Sequence, residues 1–460
     1  MASIVFCFEV HQPRRLKWFW PDSVRNEKVE NMEKFYYDDD ENRKIFEKVA
    51  KKCYWPTNKI LLGLADKFKN QNKKFKIAFS ITGTWLEQCE KYEPVLIDTF
   101  KQMAESGCVE FLDETYYHSL AGLFADKSEF REEVIEHRKA MKEILNFSPK
   151  VFRNTELLYN NEIAKEVENL GYKGIFTEGI ERILNGRSPN FIYRAKSEKS
   201  DKSNLVVLLK NYKLSDDIAF RFSWRSWNEF PLTADKYAKW LSGCQGDVIN
   251  LYMDYETFGE HRWAETGIFE FLKFLPDEIL KHENLDFLTP YEAIERYKNT
   301  DVGEGNLIDV PWDKTISWAD TERDHSAWLG NHNQQLCFSE VQRIAYLIEK
   351  ISDEAAKIKF KKIWRYLLTS DHYHYMSTKN IADQEIHNYF SNRTNAYDAA
   401  VNLMSIISDL KEKILIQLIN EAKHNEERMK QEKEIMKQEK EILEAEQRKE
   451  AYEGNRIFKM

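Results

Sequence analysis

Short apolar runs alternate with stripes at helical spacing through the first part of this chain. Seven segments rich in β-branched and aromatic residues stand out: Ile4–Val10, Phe75–Ile81, Val109–Leu112, Val151–Thr155, Gly174–Thr177, Leu205–Leu209 and Val248–Met253. Most are too short to be helices, so they predict strands. Several intervals between them read as helices. The clearest starts at Ser128 as N-cap, carries Phe130, Val134, Met141 and Leu145 on one stripe, and stops before Pro149. Such alternation predicts an α/β fold with a parallel sheet or barrel. The interval from Glu181 to Asp201 has Asn, Gly, Ser, Pro and Lys without periodicity and reads as a rim loop with short irregular elements.

Beyond Pro276 the pattern changes. Val341, Ala345, Ile348 and Ser352, then Phe360, Ile363, Trp364 and Leu367, fit helical spacing in a region with few strand signals. The expected organisation is a barrel over residues 1–275, a mainly helical domain over 276–420 and a charged helical extension over 421–460. In the extension MKQEKEI occurs at Met429–Ile435 and again at Met436–Ile442. Met429, Ile435, Met436, Ile442 and Leu443 make one stripe, but Glu or Lys stands three or four positions later, where a zipper needs its second apolar column. A solvated helix is expected there.

Composition narrows the function. With 460 residues, 42% of them hydrophobic, and 28 Phe, 22 Tyr and 12 Trp, the chain buries a large core and is not disordered. Its 68 basic and 77 acidic side chains give 68 − 77 = −9, so it lacks the positive field that binds phosphate backbones, and nucleic acid is not an expected partner. The six cysteines form no CxxC pair, which argues against a zinc knuckle or redox motif. The N-terminus has no basic region before its apolar stretch, and Glu9 interrupts that stretch. No run of about 18 apolar residues offers a membrane span. A cytoplasmic protein is expected.

Candidate chemistry lies at the strand ends, since a β/α barrel assembles its active site at the C-terminal ends of its strands. His11-Gln12-Pro13 follows the first strand, and Asp113-Glu114 and Tyr116-Tyr117-His118 follow the third. Arg153 and Glu156 end the fourth, Glu178 the fifth, and Asp254-Tyr255-Glu256 the seventh. Any one of these has a structural explanation as a cap or rim ion pair; five together point to one mouth. Several carboxylates without a GxSxG elbow, Walker loop, GxGxxG fingerprint or HExxH suggest acid/base or glycosyl chemistry, in which two carboxyl groups flank the bond being cut. Asp371-His372-Tyr373-His374 has the look of a metal cluster, but such a segment more often lines a cleft or packs. Trp85, Trp312, Trp318, Trp328 and Tyr373 fall in polar, turn-like contexts, where an aromatic face can meet the C–H face of a sugar.

The motifs together resemble glycoside hydrolase family 57. They are HQP at His11–Pro13, GCVEFL at Gly107–Leu112, ETYYHS at Glu114–Ser119, RNTE at Arg153–Glu156, DYETFGEH at Asp254–His261 and RDHSAWLGN at Arg323–Asn331. The likeness spans about Ile4 to Met404 and is closest to the α-amylase type. It implies an incomplete (β/α)7 barrel followed by a helical domain, and retaining chemistry at α-glucosidic bonds. Carried over by motif, Glu156 is the nucleophile and Asp254 the acid/base. His11, Glu110, Arg153 and Asp371 line the −1 sugar site, and Glu256 and Trp328 complete the expected substrate-binding set. No cofactor and no metal are expected.

The expected activity is hydrolysis of internal α-1,4 bonds of a starch- or glycogen-type glucan. A 4-α-glucanotransferase or branching enzyme on the same scaffold is the nearest rival, because water and a sugar hydroxyl compete for the same intermediate. A metal-dependent polysaccharide deacetylase needs about three close His/Asp ligands, whereas this mouth is richer in Glu and Arg. A silent glycan-binding protein would lack a catalytic carboxylate, and both are present.

Overall fold

The computed structural model describes residues 2–21, 31–71, 74–196, 203–298, 306–379 and 395–457; the end of the rim interval expected to finish at Asp201 lies outside them. All seven expected strands form. They are β1 (Ala2–Val10), β2 (Ile77–Ile81), β3 (Val109–Leu112), β4 (Val151–Arg153), β5 (Gly174–Glu178), β7 (Val206–Lys210) and β8 (Val248–Asp254), with β6 (Tyr193–Ala195), β9 (Leu285–Phe287) and β10 (Leu307–Ile308) added. Their near-continuous apolar sequences follow from burial on both faces: every residue of β1, β2, β3, β4, β5 and β7 is buried.

β8, β1, β2 and β3 form one parallel run and β4, β5 and β7 another. The runs meet through one pair on each side, Asp113 with Phe152 and Lys210 with Asn250. The architecture is therefore an incomplete (β/α)7 barrel, with a polar side chain working at each thin seam. Asn250 Nδ2 donates to the Leu209 carbonyl at 3.0 Å. Asp113, fully buried, is bonded by His137 and Tyr172, and its carbonyl accepts the Arg153 amide at 2.8 Å.

The helix with the clearest stripe runs Ser128–Leu145 and buries Phe130, Val134, Met141 and Leu145. Its N-cap is Lys127 rather than Ser128, because the Ser128 hydroxyl is taken up by Asp126. It ends on Asn146 at φ 50°, before Pro149.

The boundary expected after residue 275 falls inside the helix Ile268–Leu280, and the chain stays with the barrel beyond it. β9 pairs with the start of β1, and the helix Pro290–Tyr297 plugs the end of the barrel opposite the mouth. Its Ala293 and Ile294 join a core with Val5, Cys7 and Val206. The helix packs so closely that a Cβ on Gly174, at the start of β5, would stand 2.5 Å from the Ile294 terminal methyl, which would have to shift to admit it.

A second core gathers Val341, Ile344, Phe360, Ile363 and Trp364 from the helices His332–Ile348 and Glu354–Tyr366. Ser352 lies past the first of these and bonds Glu421 instead. The same core includes Leu16, Phe19, Tyr117 and Leu158, which follow β1, β3 and β4, so the helices roof the mouth. The helix Ala396–Ile457 crosses this roof, burying Leu403, Ile406, Leu410 and Ile414.

Candidate active site

Glu156 sits in the tight turn after β4. Its φ of 55° and the 52° of Leu157 place two consecutive non-glycine residues in the left-handed region, a strain that persists only where surroundings impose it. Both carboxylate oxygens are held. The Trp318 indole donates to Oε2 at 2.7 Å, Ser370 donates to Oε1 at 2.8 Å, and His118 Nε2 stands 3.5 Å from Oε1. Burial alone would raise the pKa of this group. The bond and charge of His118, with Arg153, outweigh burial and hold the carboxyl well below its usual range. Glu156 is an anion in a site that leaves it 8% exposed.

The charges that sustain it come from strands far apart in sequence. Arg153, fully buried, pairs with Glu9 of β1 and reaches Glu114 at 3.4 Å. His118, at φ 51°, lies 3.2 Å from Glu114, 3.3 Å from Glu9 and beside Glu156. Burial opposes its charge, but these carboxylates push its value up to about 10, so it stands as an imidazolium. Glu114, opposed by burial and favoured by the His118 bond and Arg153, falls to about 2. His11 stacks on His118 with ring centres 4.0 Å apart. Burial and that neighbouring cation keep His11 neutral, with Nε2 at 2.9 Å from Asp371 and Nδ1 at 3.0 Å from Thr82.

Asp254 ends β8, half-buried and in register with Glu9. Burial raises Glu9 above its ordinary value against the opposing charges of Arg153 and His118, and Asp254 and Glu156 add to the rise, so Glu9 feels both carboxylates expected to react. Glu256, two residues on, accepts the Tyr54 hydroxyl. Burial first, and then the Asp254 charge, push its value up to about 8. Glu256 therefore holds a proton at neutral pH.

His11, Arg153, Glu156, Asp254 and Asp371 gather at the mouth as the sequence predicts. Two expected residues do not. Glu110 is the second residue of β3, below the mouth, and its carboxylate accepts the Tyr291 amide of the plugging helix at 2.8 Å. Trp328 is 1% exposed inside the roof core and has no face to offer a sugar. Trp85 and Tyr373 are buried likewise, as are His372 and His374, so of that Asp-His-Tyr-His run Asp371 alone is paired with His11. Asp113 and Glu178 serve the seam and an ion group with Lys210 and Arg323. Glu114 and His118, expected at the mouth after the third strand, are there beside Glu156; sequence reasoning missed Glu9 and Ser370 as site members. A lone Glu inside a nine-residue apolar strand is the signal that would have found Glu9.

A carboxylate anion fixed at both oxygens and a second carboxyl across the mouth can do glycosyl chemistry through displacement at a sugar carbon. The family model for Glycosyl hydrolase family 57 matches residues 5–311. The chain belongs to glycosyl hydrolase family 57. A Methanocaldococcus jannaschii relative described as "Putative alpha-amylase" is 47% identical over 410 residues, covering 88% of this chain and 83% of the relative. A family 57 branching enzyme from Pyrococcus horikoshii superposes with a TM-score of 0.59 at 11% identity, covering 90% of this chain and 94% of that one. The 4-α-glucanotransferase of Thermococcus litoralis superposes with a TM-score of 0.52 at 17% identity over 85% of this chain. This chain spans about half, 54%, of that enzyme's length. At these identities the two superpositions establish the fold.

Proposed function

We propose that this family 57 glycosidase hydrolyses internal α-1,4 bonds of a starch- or glycogen-type glucan with retention of configuration. Glu156 acts as nucleophile and Asp254 as proton donor and acceptor. The observation that carries the reading is the Glu156 carboxylate, buried, ionised and bonded at both oxygens at the C-terminal end of β4. The name of the 47% identical relative supports the α-amylase assignment. His11 and Asp371 line the sugar site, where the neutral His11 and the carboxylate of Asp371 present donors and acceptors to hydroxyls; Arg153, expected there too, is fully buried and acts through Glu9, Glu114 and Glu156. Among the described residues no helix is long and apolar enough to cross a membrane; a cytoplasmic site of action, on stored or imported glucan, is part of the proposal.

Glu156→Ala abolishes hydrolysis of an activated α-glucoside, and azide restores turnover with a β-glucosyl azide product. Asp254→Ala spares activated substrates far more than natural ones, because a good leaving group needs little protonation. A β-azide from the Asp254 variant together with an α-azide from the Glu156 variant reverses the roles. Transfer to a sugar acceptor is the second reading, since the glycosyl–enzyme intermediate serves both. Net new reducing ends from maltooligosaccharides establish hydrolysis; disproportionation to longer chains establishes transfer.

A further inference from the structure

The segment Thr315–Asp324 is neither barrel strand nor roof helix, yet it grips the nucleophile turn. Ile316 and Tyr159 exchange backbone hydrogen bonds at 3.0 Å each, and the Trp318 amide donates to the Glu156 carbonyl at 3.3 Å. With its indole on Oε2, one residue holds both the main chain and the carboxylate of Glu156. The segment is itself anchored. Ser317 bonds the Arg323 carbonyl and, through its hydroxyl, the Asp324 carbonyl. Arg323 reaches Glu178 at 2.7 Å and Asp216 at 3.2 Å with its guanidinium 4.3 Å from the Tyr212 ring centre. That ion group, which glycosyl chemistry does not use, ties the clip to the ends of β5 and β7.

The indole has unusual neighbours. The Arg153 guanidinium lies 5.5 Å and the Lys210 ammonium 5.2 Å from its ring centre. Cations over a ring draw on its electrons and make its N–H a stronger donor. Resting on the reading of Glu156 as nucleophile, we propose that Trp318 is the positioning residue of the glycosyl step. Its amide fixes the strained turn, and its indole N–H stabilises the charge that returns to the carboxylate when the glycosyl–enzyme bond breaks.

In the first half-reaction a Glu156 oxygen bonds to the anomeric carbon. The bond to the leaving oxygen breaks with its electron pair, and that oxygen takes a proton from Asp254. In the second, water bonds to the same carbon and gives a proton to Asp254 while the ester bond breaks, returning its electron pair to Glu156. A donor on the carboxylate is worth more as charge reappears than in the neutral ester. Removing it slows the second half more than the first.

Glu156 is faced by His118 from the loop after β3, Arg153 from β4, Ser370, Asp371 and Tyr375 from the roof, and Glu9 from β1. Trp318→Phe changes the indole donor alone among these. With an activated α-glucoside, kcat falls about tenfold to a hundredfold and KM falls with it, while kcat/KM changes little. Acid quenching and peptide mass analysis find a glycosyl adduct on the Glu156 peptide. The acid limb of kcat/KM moves up by about one pH unit. A benzothienyl-alanine placed at position 318 keeps the ring and removes the N–H, and gives the same result if the Phe variant does not fold.

A lowered kcat/KM with no adduct and an unmoved acid limb overturns the proposal and leaves Trp318 a packing residue. Glu156→Ala run in parallel separates the two claims. Failure of azide rescue removes the nucleophile assignment and the proposal with it, whereas rescue without an adduct in the Trp318 variants removes the positioning role alone.

Discussion

Arg153 is the residue on which the buried charges of the mouth depend, because Glu9 and Glu114 both face it with almost no water nearby. Arg153→Met strands two carboxylates and costs about 3–5 kcal/mol; urea denaturation measures it, and a loss under about 1 kcal/mol means the cluster adjusts. The pH dependence follows from the shifts. Glu114, lowered to about 2, stabilises fully above its unfolded value near 4.3 and loses that contribution as pH falls through about 2. His118, raised to about 10, stabilises fully below about 6.5 and loses it as pH rises through about 10. His118→Gln therefore flattens the alkaline fall of the melting temperature, and an unchanged slope contradicts the imidazolium. Glu9, Glu114 and His118 also lie close enough to share a cation. A divalent ion there meets the Arg153 guanidinium and, below about pH 10, the His118 charge, so exhaustive chelation leaves turnover on maltooligosaccharide intact. Metal-reversible inactivation contradicts this.

Glu110 shows how an element can claim a residue that a motif assigns to chemistry. It receives the helix Pro290–Tyr297, and burial first raises its value to about 7. A carboxyl raised this way stabilises below its unfolded value near 4.3 and loses that stability as pH rises through about 7. Glu110→Gln accordingly matches the wild type near pH 4, gains on the order of 3 kcal/mol relative to it at pH 8, and leaves KM unchanged; a raised KM restores Glu110 to the sugar site. The seven barrel strands were legible because burial on both faces writes itself as unbroken apolar runs. β6, β9 and β10, two or three residues each, were not, since their order comes from the strand they pair with. Trp318 and Trp328 looked alike in the sequence, both in polar turns. One reaches Glu156 and the other fills the roof core, a difference set by contacts across more than 160 positions. The His11–Asp371 bond spans 360 positions, beyond any local pattern. What local pattern did carry was the placement of ionisable groups after strands, which put Glu156 and Asp254 among the groups at the mouth; the roles expected of them came from the family resemblance.

The helix Ala396–Ile457 divides the molecule's energetics in two. Its first turns bury Leu403, Ile406, Leu410 and Ile414 in the roof core. Glu421 then clasps the start of the helix Glu354–Tyr366, accepting the Ser352 amide at 2.8 Å, its hydroxyl at 2.7 Å and the Asp353 amide at 3.2 Å. Every described side chain from Ala422 to Glu444 is exposed. Met429, Met436 and Leu443 form one apolar column there and Ile435 and Ile442 another, with Glu432 and Glu439 on the surface between them. Pairing two such helices buries those carboxylates opposite one another, which opposes a zipper. A chain ending at Ala422 therefore keeps its melting temperature within about 2 °C, its kcat/KM and its oligomeric state in solution. A chain ending at Asp409 loses Leu410, Ile414 and the Glu421 clasp, and melts more than about 5 °C lower. If the chain ending at Asp409 is unharmed, the roof does not depend on this helix; if the chain ending at Ala422 loses stability or changes its oligomeric state, residues beyond Ala422 dock.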